Sequence, residues 1–230
     1  MIKFSSVLNA LAQERKIKCF NSTCWIPYAR TSKYQPCISK TTFNLFEGYA
    51  LEDVEITQKN DFKKTKIFEL LKQNLTNNNE ECLEYLLNFV ALRLQKSFEK
   101  PSVCNIWCSS APGSGKSTLS AFLRNLFACS GTSTVTIYSN TSSFISSFNS
   151  EKEKSIFVIL EELKGGRLRE FDHFLKDFIS NDTLLKECKG KDRVSVPNFS
   201  SVFIYSNEMK IVKVDRKDRR MMFYEPCSSK

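Results

Sequence analysis

Between the apolar stretch Val103–Cys108 and a helix-like run, the chain reads SSAPGSGKST over Ser109–Thr118. These residue types suit the holding of a polyphosphate. Gly113 and Gly115 let the backbone turn so that successive N–H groups point inward, making an anion nest at a helix start whose dipole adds partial positive charge. Lys116 is spaced to reach β- and γ-phosphates and the Ser117 hydroxyl to ligate Mg²⁺, as in the strand–loop–helix pattern G-x-x-x-x-G-K-[ST]. The expected nucleotide contacts are therefore Ser110, Ala111, Pro112, Gly113, Ser114, Gly115, Lys116, Ser117 and Thr118. Ser110 stands where the pattern has its first glycine, and a left-handed backbone there would be strained by a side chain. A glycine-rich turn that merely precedes a lysine is the alternative, and the flanking strand and helix weigh against it.

A triphosphate loop needs an acidic strand end nearby. In SIFVILEE, five apolar residues, Ile156–Leu160, suit a buried parallel strand, and Glu161 and Glu162 emerge at its carboxyl end, where such sheets bind ligands. Glu161 is placed to hold Mg²⁺ directly or through water, and Glu162 to polarise an attacking water. A further apolar run, SSVFIYSNE, ends at Asn207, whose amide could meet a γ-phosphate or the lytic water. Past it, DRKDRRMMFYE sets Arg216, Arg219 and Arg220 ahead of an apolar strand, where an arginine could serve a neighbour's γ-phosphate or simply be solvated. LLKECKGKDRVSV reads as two short strands around Gly190, with Lys186, Lys189, Lys191 and Arg193 near the tip. Such a hairpin is either a plain basic surface or a grip on a phosphate backbone.

The elements that must position these groups follow from the hydrophobic pattern. Strands at 103–108, 134–138, 155–160 and 201–205 alternate with helices at about 116–129, 142–149 and 167–180, which predicts crossover connections and a mostly parallel central sheet. Upstream, Lys64–Leu75 and Glu80–Lys100 have helical spacing, with Leu83, Leu86, Leu87, Val90, Ala91 and Leu94 on one face and Pro101 as the stop. Residues 1–62 lack sustained periodicity and read as a small irregular or mixed module with an aromatic turn at Phe43–Tyr49. The expected organisation is thus 1–62, a helical region 63–101 and a nucleotide-binding core 102–230.

Composition bounds the rest. A net charge of +9 favours a polyanionic partner. The apolar runs are far shorter than the roughly 18 residues a bilayer demands, and the start lacks a signal-peptide pattern, so an intracellular protein with no membrane partner is expected. Nine unpaired-looking cysteines imply reduced thiols, with Cys104 and Cys108 as small hydrophobes in a strand. The lone histidine, His173, reads as structural, and no C-x-x-C pair points to zinc.

The order SAPGSGKST, VILEE, lysine hairpin, FIYSN, DRR resembles the superfamily 3 helicases of viruses and plasmids. More narrowly, FNLFEGY, YLLNFVALRLQ and FLKDFISNDTLLKECKGK look like the helicase region of poxvirus-type and phage-type primase-helicases, over roughly residues 40–226. The resemblance implies an α/β P-loop NTPase (AAA+-like) with a small helical N-terminal region, a homo-hexameric ring, and ATP with Mg²⁺ cleaved at subunit interfaces. It assigns Lys116 and Ser117 to phosphates and metal, Glu161 and Glu162 to metal and water, Asn207 to sensing, and Lys189 or Lys191 to single-stranded DNA. Arg220 is the favoured arginine finger and Arg219 its rival. The expected role is an ATP-driven replicative helicase or translocase on single-stranded DNA, with a replication initiator or primase as partner. A ring ATPase on RNA of the picornavirus-helicase type, and a non-enzymatic nucleotide-binding assembly module, are the alternatives.

Overall fold

The computed structural model describes residues 13, 18–55, 61–109, 113–130, 133–146, 150–161, 168–187, 192–207 and 218–227. In chain order these form strands β1 (Ser22–Cys24) and β2 (Thr42–Asn44), a helical turn α1 (Lys66–Glu69) that widens into a π-turn (Leu70–Leu75), and helix α2 (Glu80–Gln95). Then follow β3 (Cys104–Cys108), α3 (Lys116–Leu126), β4 (Val135–Tyr138), α4 (Thr141–Ile145), α5 (Ser150–Glu153) and β5 (Phe157–Glu161). Helix α6 (Leu168–Ser180), the strands β6 (Thr183–Lys186) and β7 (Val194–Pro197), β8 (Ser201–Ser206) and β9 (Met221–Tyr224) complete the order.

The fold is α/β. Five strands make one sheet in the order β4-β5-β8-β3-β9, and every pairing within it is parallel. Helices cover both of its faces, so the central strands β5, β8 and β3 are buried on each side, while the edge strands β4 and β9 leave Ile137 and Phe223 exposed. Alternation sorts the residues between two layers. Trp107, Phe157, Ile159, Phe203 and Tyr205 pack with Leu119, Leu123 and Phe127 around α3 and with Leu83, Leu86 and Phe89 of α2. On the other face Ile106, Val158, Leu160, Val202 and Ile204 meet Phe144 of α4 and Phe171, Leu175 and Phe178 of α6. Cys104 and Cys108 are buried on this second face, as small hydrophobes, and the eight described cysteines are free thiols. His173 lies exposed on α6. No helix among the described residues is long and apolar enough to cross a membrane.

The segment before the sheet is better ordered than its composition suggests. β1 and β2 pair in parallel, and Asn44 fastens the segment by accepting from the Ile26 N–H at 2.9 Å and donating to the Ile26 carbonyl at 2.8 Å. Trp25, Phe46 and Tyr49 then join the same core as Phe127, through edge-on ring contacts of 5.6 Å for Trp25–Phe46 and for Tyr49–Phe127.

Three expected boundaries shift. Lys64–Leu75 is not one regular helix, because the π-turn carries both Leu71 and Leu75 into the core and ends where the Thr76 N–H and hydroxyl both donate to the Leu71 carbonyl at 3.0 Å. Helix α2 stops at Gln95 rather than at Pro101. Arg93, fully buried, donates to the Ser97 carbonyl at 3.0 Å and to the Glu99 carbonyl, which bends residues 96–99 out of the helix and around the guanidinium. Finally, α4 ends at Ile145, and the Ser150–Glu153 turn forms a separate short helix whose Lys152 is buried against Phe144.

Candidate functional site

Parallel strands in register end level with one another, and here three adjacent ends carry the candidate residues. Cys108 of β3 pairs with Ser206 of β8, and Tyr205 of β8 pairs with Glu161 of β5. The Ser109 N–H donates to the Ser206 carbonyl at 3.0 Å, which carries the alignment one residue past the strands. Ser109, Asn207 and Glu161 therefore lie along one carboxyl edge of the sheet.

From that edge the chain turns into α3. Gly113 has φ +78 and Gly115 φ +88, left-handed angles that glycine adopts without strain. Gly115 is the residue capping α3 and brings no side chain to its amino terminus. The cap itself therefore does not compete with an external acceptor for the first helical N–H groups. Behind the turn the fit is close: a Cβ on Gly115 would meet Leu70 Cδ1 at 2.6 Å. The π-turn thus forms the wall on which the loop rests.

Lys116 opens α3 and reaches back over the strand ends. Its Nζ donates to the Ser109 carbonyl at 3.3 Å and to Asn207 Oδ1 at 3.1 Å. The ammonium charge draws the Cys108 thiol pKa down against the larger upward push of burial. Ser117 and Thr118 are exposed on the first turn, while Ser114 is buried.

One turn further, Ser120 faces the sheet. Its buried Oγ donates to Glu161 Oε1 at 2.8 Å, so the acidic strand end and the loop helix are joined by a hydrogen bond to a carboxylate, among the stronger neutral-to-charged kinds. Tyr205, Glu161's register partner, buries its hydroxyl beside Ser120 but outside good hydrogen-bonding geometry, and that burial holds its pKa far above the ordinary tyrosine value. No sequence motif marks Ser120 or Tyr205. A serine between Leu119 and Leu123 on an apolar helix face is the one local sign that such a position has a polar partner.

The sequence-derived groups fall into three sets. Lys116, Gly113, Gly115, Ser117, Thr118, Glu161 and Asn207 gather at the carboxyl edge. Ser110, Ala111, Pro112 and Glu162 lie outside the described residues. The second set occupies the amino edge, about 13 Å away along the five residues of β3. Arg220 directly precedes β9 and its carbonyl accepts from the Cys104 N–H at 2.7 Å. Its guanidinium forks onto Asp218 at 2.9 and 3.1 Å, and Lys176 stands 3.7 Å from the same carboxylate. The hydrogen bonds from Arg220 hold the Asp218 carboxyl below its usual pKa. Arg220, preferred from sequence as the finger, is thus engaged within its own chain, whereas Arg219 is exposed.

The basic hairpin exists as β6 paired antiparallel with β7. Its base is fixed by Asn198, which donates to the carbonyls of Phe178 at 2.9 Å and Asn181 at 3.0 Å at the end of α6. Lys186 does not face outward as a free cation but forms an ion pair with Glu153 of α5. Arg193 is largely exposed and lies 3.3 Å from Glu187. Lys189, Lys191 and Arg216 lie outside the described residues.

Comparison with known proteins adds a likeness of fold. Residues 108–220 match the model of a family of unknown function (DUF5906). The apo structure of the NrS-1 C-terminal region (305–718) superposes with a TM-score of 0.69 at 23% identity, covering 88% of this chain and 47% of that one. The A form apo structure of the NrS-1 C-terminal region gives a TM-score of 0.68 at 22% identity, covering 98% of this chain and 53% of that one. This chain therefore spans about half the length of these solved structures. No curated protein sequence matches it.

Proposed function

We propose that the chain is an ATP-driven helicase or translocase on single-stranded DNA, working in the replication of a virus or mobile element as a homo-hexameric ring. One observation carries the reading: a glycine-capped helix joins the ends of two adjacent parallel strands, its Lys116 bonding Asn207 after β8 and its Ser120 bonding Glu161 at the end of β5. The family likeness of the sequence and the fold shared with the NrS-1 C-terminal region support it.

In this reading the loop amides and Lys116 bind the β- and γ-phosphates, the lysine exchanging its Ser109 acceptor for phosphate oxygens while keeping Asn207. Asn207, whose Oδ1 already accepts from Lys116, turns its Nδ2 donor to the γ-phosphate or the water beside it. The hydroxyl of Ser117 and the carboxylate of Glu161 are hard oxygen donors that fit Mg²⁺, and Ser120 orients that carboxylate. Bound Mg²⁺ supplies charge neutralisation at the phosphates. Glu162 is the base for the attacking water. An arginine from the amino edge cannot reach the loop of its own chain, so Arg219 or Arg220 acts on the nucleotide of an adjacent copy, and Arg220 must leave Asp218 to do so. Lys189, Lys191 and Arg193 grip the DNA backbone from the hairpin.

The test is nucleotide binding followed by DNA response. A fluorescent ATP analogue should bind saturably with Mg²⁺ and fail to bind Lys116→Ala. Phosphate release should rise with oligo-dT more than with oligo-rU. Equal or greater stimulation by RNA would redirect the motor to RNA, and binding without any turnover would leave an assembly module in its place.

A further inference from the structure

One face of the β1–β2 pair carries apolar side chains that remain about half exposed. In a strand, alternate side chains point to opposite sides, and Thr42 and Asn44 are committed to one side through the Ser22–Thr42 hydroxyl contact at 2.8 Å and the Asn44 bonds to Ile26. Phe43 therefore projects from the other, where it is 47% exposed, and Leu45 beyond it is 45% exposed. Phe20 packs against Phe43 with ring centroids 5.1 Å apart and tilted by 53°, so the two rings brace one another and leave an outer aromatic surface. Lys18 sits over the Phe20 ring with its Nζ 5.0 Å from the centroid. The Asn21 N–H donates to the Thr41 carbonyl at 2.8 Å, which extends the pairing back to the start of both strands and brings exposed Lys40 to the level of Phe20.

Charge decides what such a face can receive. Residues 18–46 contain Lys18, Arg30, Lys33 and Lys40 and no acidic residue. Arg30 is answered by Glu52 and Asp53, which leaves the aromatic end of the module positive. A second copy of the same face would meet it with like charge, whereas a single-stranded nucleic acid offers both a flat base for the rings and phosphates for the lysines. Base-on-aromatic stacking beside lysine is the arrangement by which single strands are held without sequence preference.

We infer that the outer face of the β1–β2 pair is a second contact for single-stranded nucleic acid, with a base stacked on Phe43 and with Lys18 and Lys40 at the neighbouring phosphates. The inference rests on the nucleic-acid reading above and adds to it a site outside the hairpin, on residues that reading leaves without a role. Both strands are short and the aromatic pair is on the surface, so its side chains can change while the core of Trp25, Phe46 and Tyr49 stays as it is.

The experiment is fluorescence anisotropy of a labelled oligo-dT with the full chain, free of nucleotide. Phe20→Ala combined with Phe43→Ala should weaken binding by about tenfold or more, the scale of losing one to two stacked bases. Lys18→Gln with Lys40→Gln should weaken it and lower the slope of log affinity against log salt by about 1.4. Phe43→Trp should keep the affinity and show quenched indole emission as the oligonucleotide binds. Thermal unfolding within a few degrees of the parent would confirm that the aromatic variants are folded. Wild-type binding that survives unchanged in the double aromatic variant, or indole emission in Phe43→Trp that is indifferent to DNA, overturns this site and leaves the motor reading standing. A wild-type chain that binds no oligonucleotide at all overturns both. Loss of self-association, not of DNA binding, in the double aromatic variant would instead assign the face to a second copy and also overturn the proposal.

Discussion

Lys116 and Asn207 are 91 positions apart in the chain, yet the lysine ammonium donates to the asparagine Oδ1 at 3.1 Å. Two parallel strands that end level bring them together, and the bond fixes which end of the amide is left to act. With Oδ1 turned to the lysine, Nδ2 is the group left free to donate elsewhere on the proposed reading. Asn207→Ala should reduce turnover by about tenfold or more while nucleotide affinity changes little, because the lost donor matters most where charge develops. Asn207→Asp should in addition weaken nucleotide binding, since a carboxylate there both ties up Lys116 and repels phosphate. Steady-state kinetics beside nucleotide titration separate the two variants.

Ser120 holds Glu161 from behind, through a buried hydroxyl 2.8 Å from the carboxylate. Ser120→Ala leaves that carboxylate without the donor and takes from the buried Tyr205 hydroxyl a polar neighbour. A loss of about 1–3 kcal/mol of local stabilisation is expected. The telling readout is a rise in the Mg²⁺ concentration needed for half-maximal turnover, which a change in packing alone would not produce. Ser120→Thr, which keeps the hydroxyl, should restore most of it.

Gly115 is constrained twice, by its φ of +88 and by Leu70 behind it. Gly115→Ala should destabilise the protein by about 1–3 kcal/mol. Adding Leu70→Ala to Gly115→Ala removes the steric part and leaves the backbone part, so the pair should be non-additive by the amount of the clash. Urea unfolding of the two single variants and the double variant measures it.

Burial sets a pH dependence. Lys100, capping α6 through the carbonyls of Phe178 and Asn181, and Lys152, enclosed by Tyr138, Phe144 and Phe174, each have a pKa lowered by desolvation to about 8 from an ordinary 10.5. Between those values the unfolded chain holds more protons than the folded one, so stability rises as pH increases from about 8 toward 10.5. Below about 8 both states are protonated and the contribution is flat. Lys152→Met should reduce this rise, as seen by unfolding midpoints at about pH 7.5, 8.5 and 9.5. A midpoint that instead falls across that window in the parent, and not in Lys152→Met, would contradict the assignment.

The sheet was legible wherever its strands are buried on both faces. Phe157–Leu160 and Val202–Tyr205 are unbroken apolar runs, and runs of that kind announce a covered parallel strand. The glycines ahead of Lys116 and the two strands of the hairpin, β6 and β7, are likewise visible in the sequence, because their patterning is local. What stayed hidden depends on distant partners. Thr42–Asn44 is half exposed and too short for a pattern, and becomes a strand only because Ser22–Cys24 lies beside it. Helix α2 ends at Gln95 because Arg93 gathers carbonyls from beyond the helix, including that of Phe199, and nothing in the local sequence marks this. The sequence groups Lys186 with free basic residues, whereas the fold brings Glu153 against it. The same holds for Arg220, whose partner is only two residues away but whose place beside Lys176 is a property of the packed edge.

On the proposed reading, Lys116 and Glu161 serve one triphosphate. The most direct measurement is the rate of phosphate release from ATP by the wild-type chain, Lys116→Ala and Glu161→Gln, each first checked for an unchanged thermal midpoint. Turnover is expected in the wild type and, in both variants, a loss of at least about a hundredfold. Wild-type turnover in Lys116→Ala would contradict it.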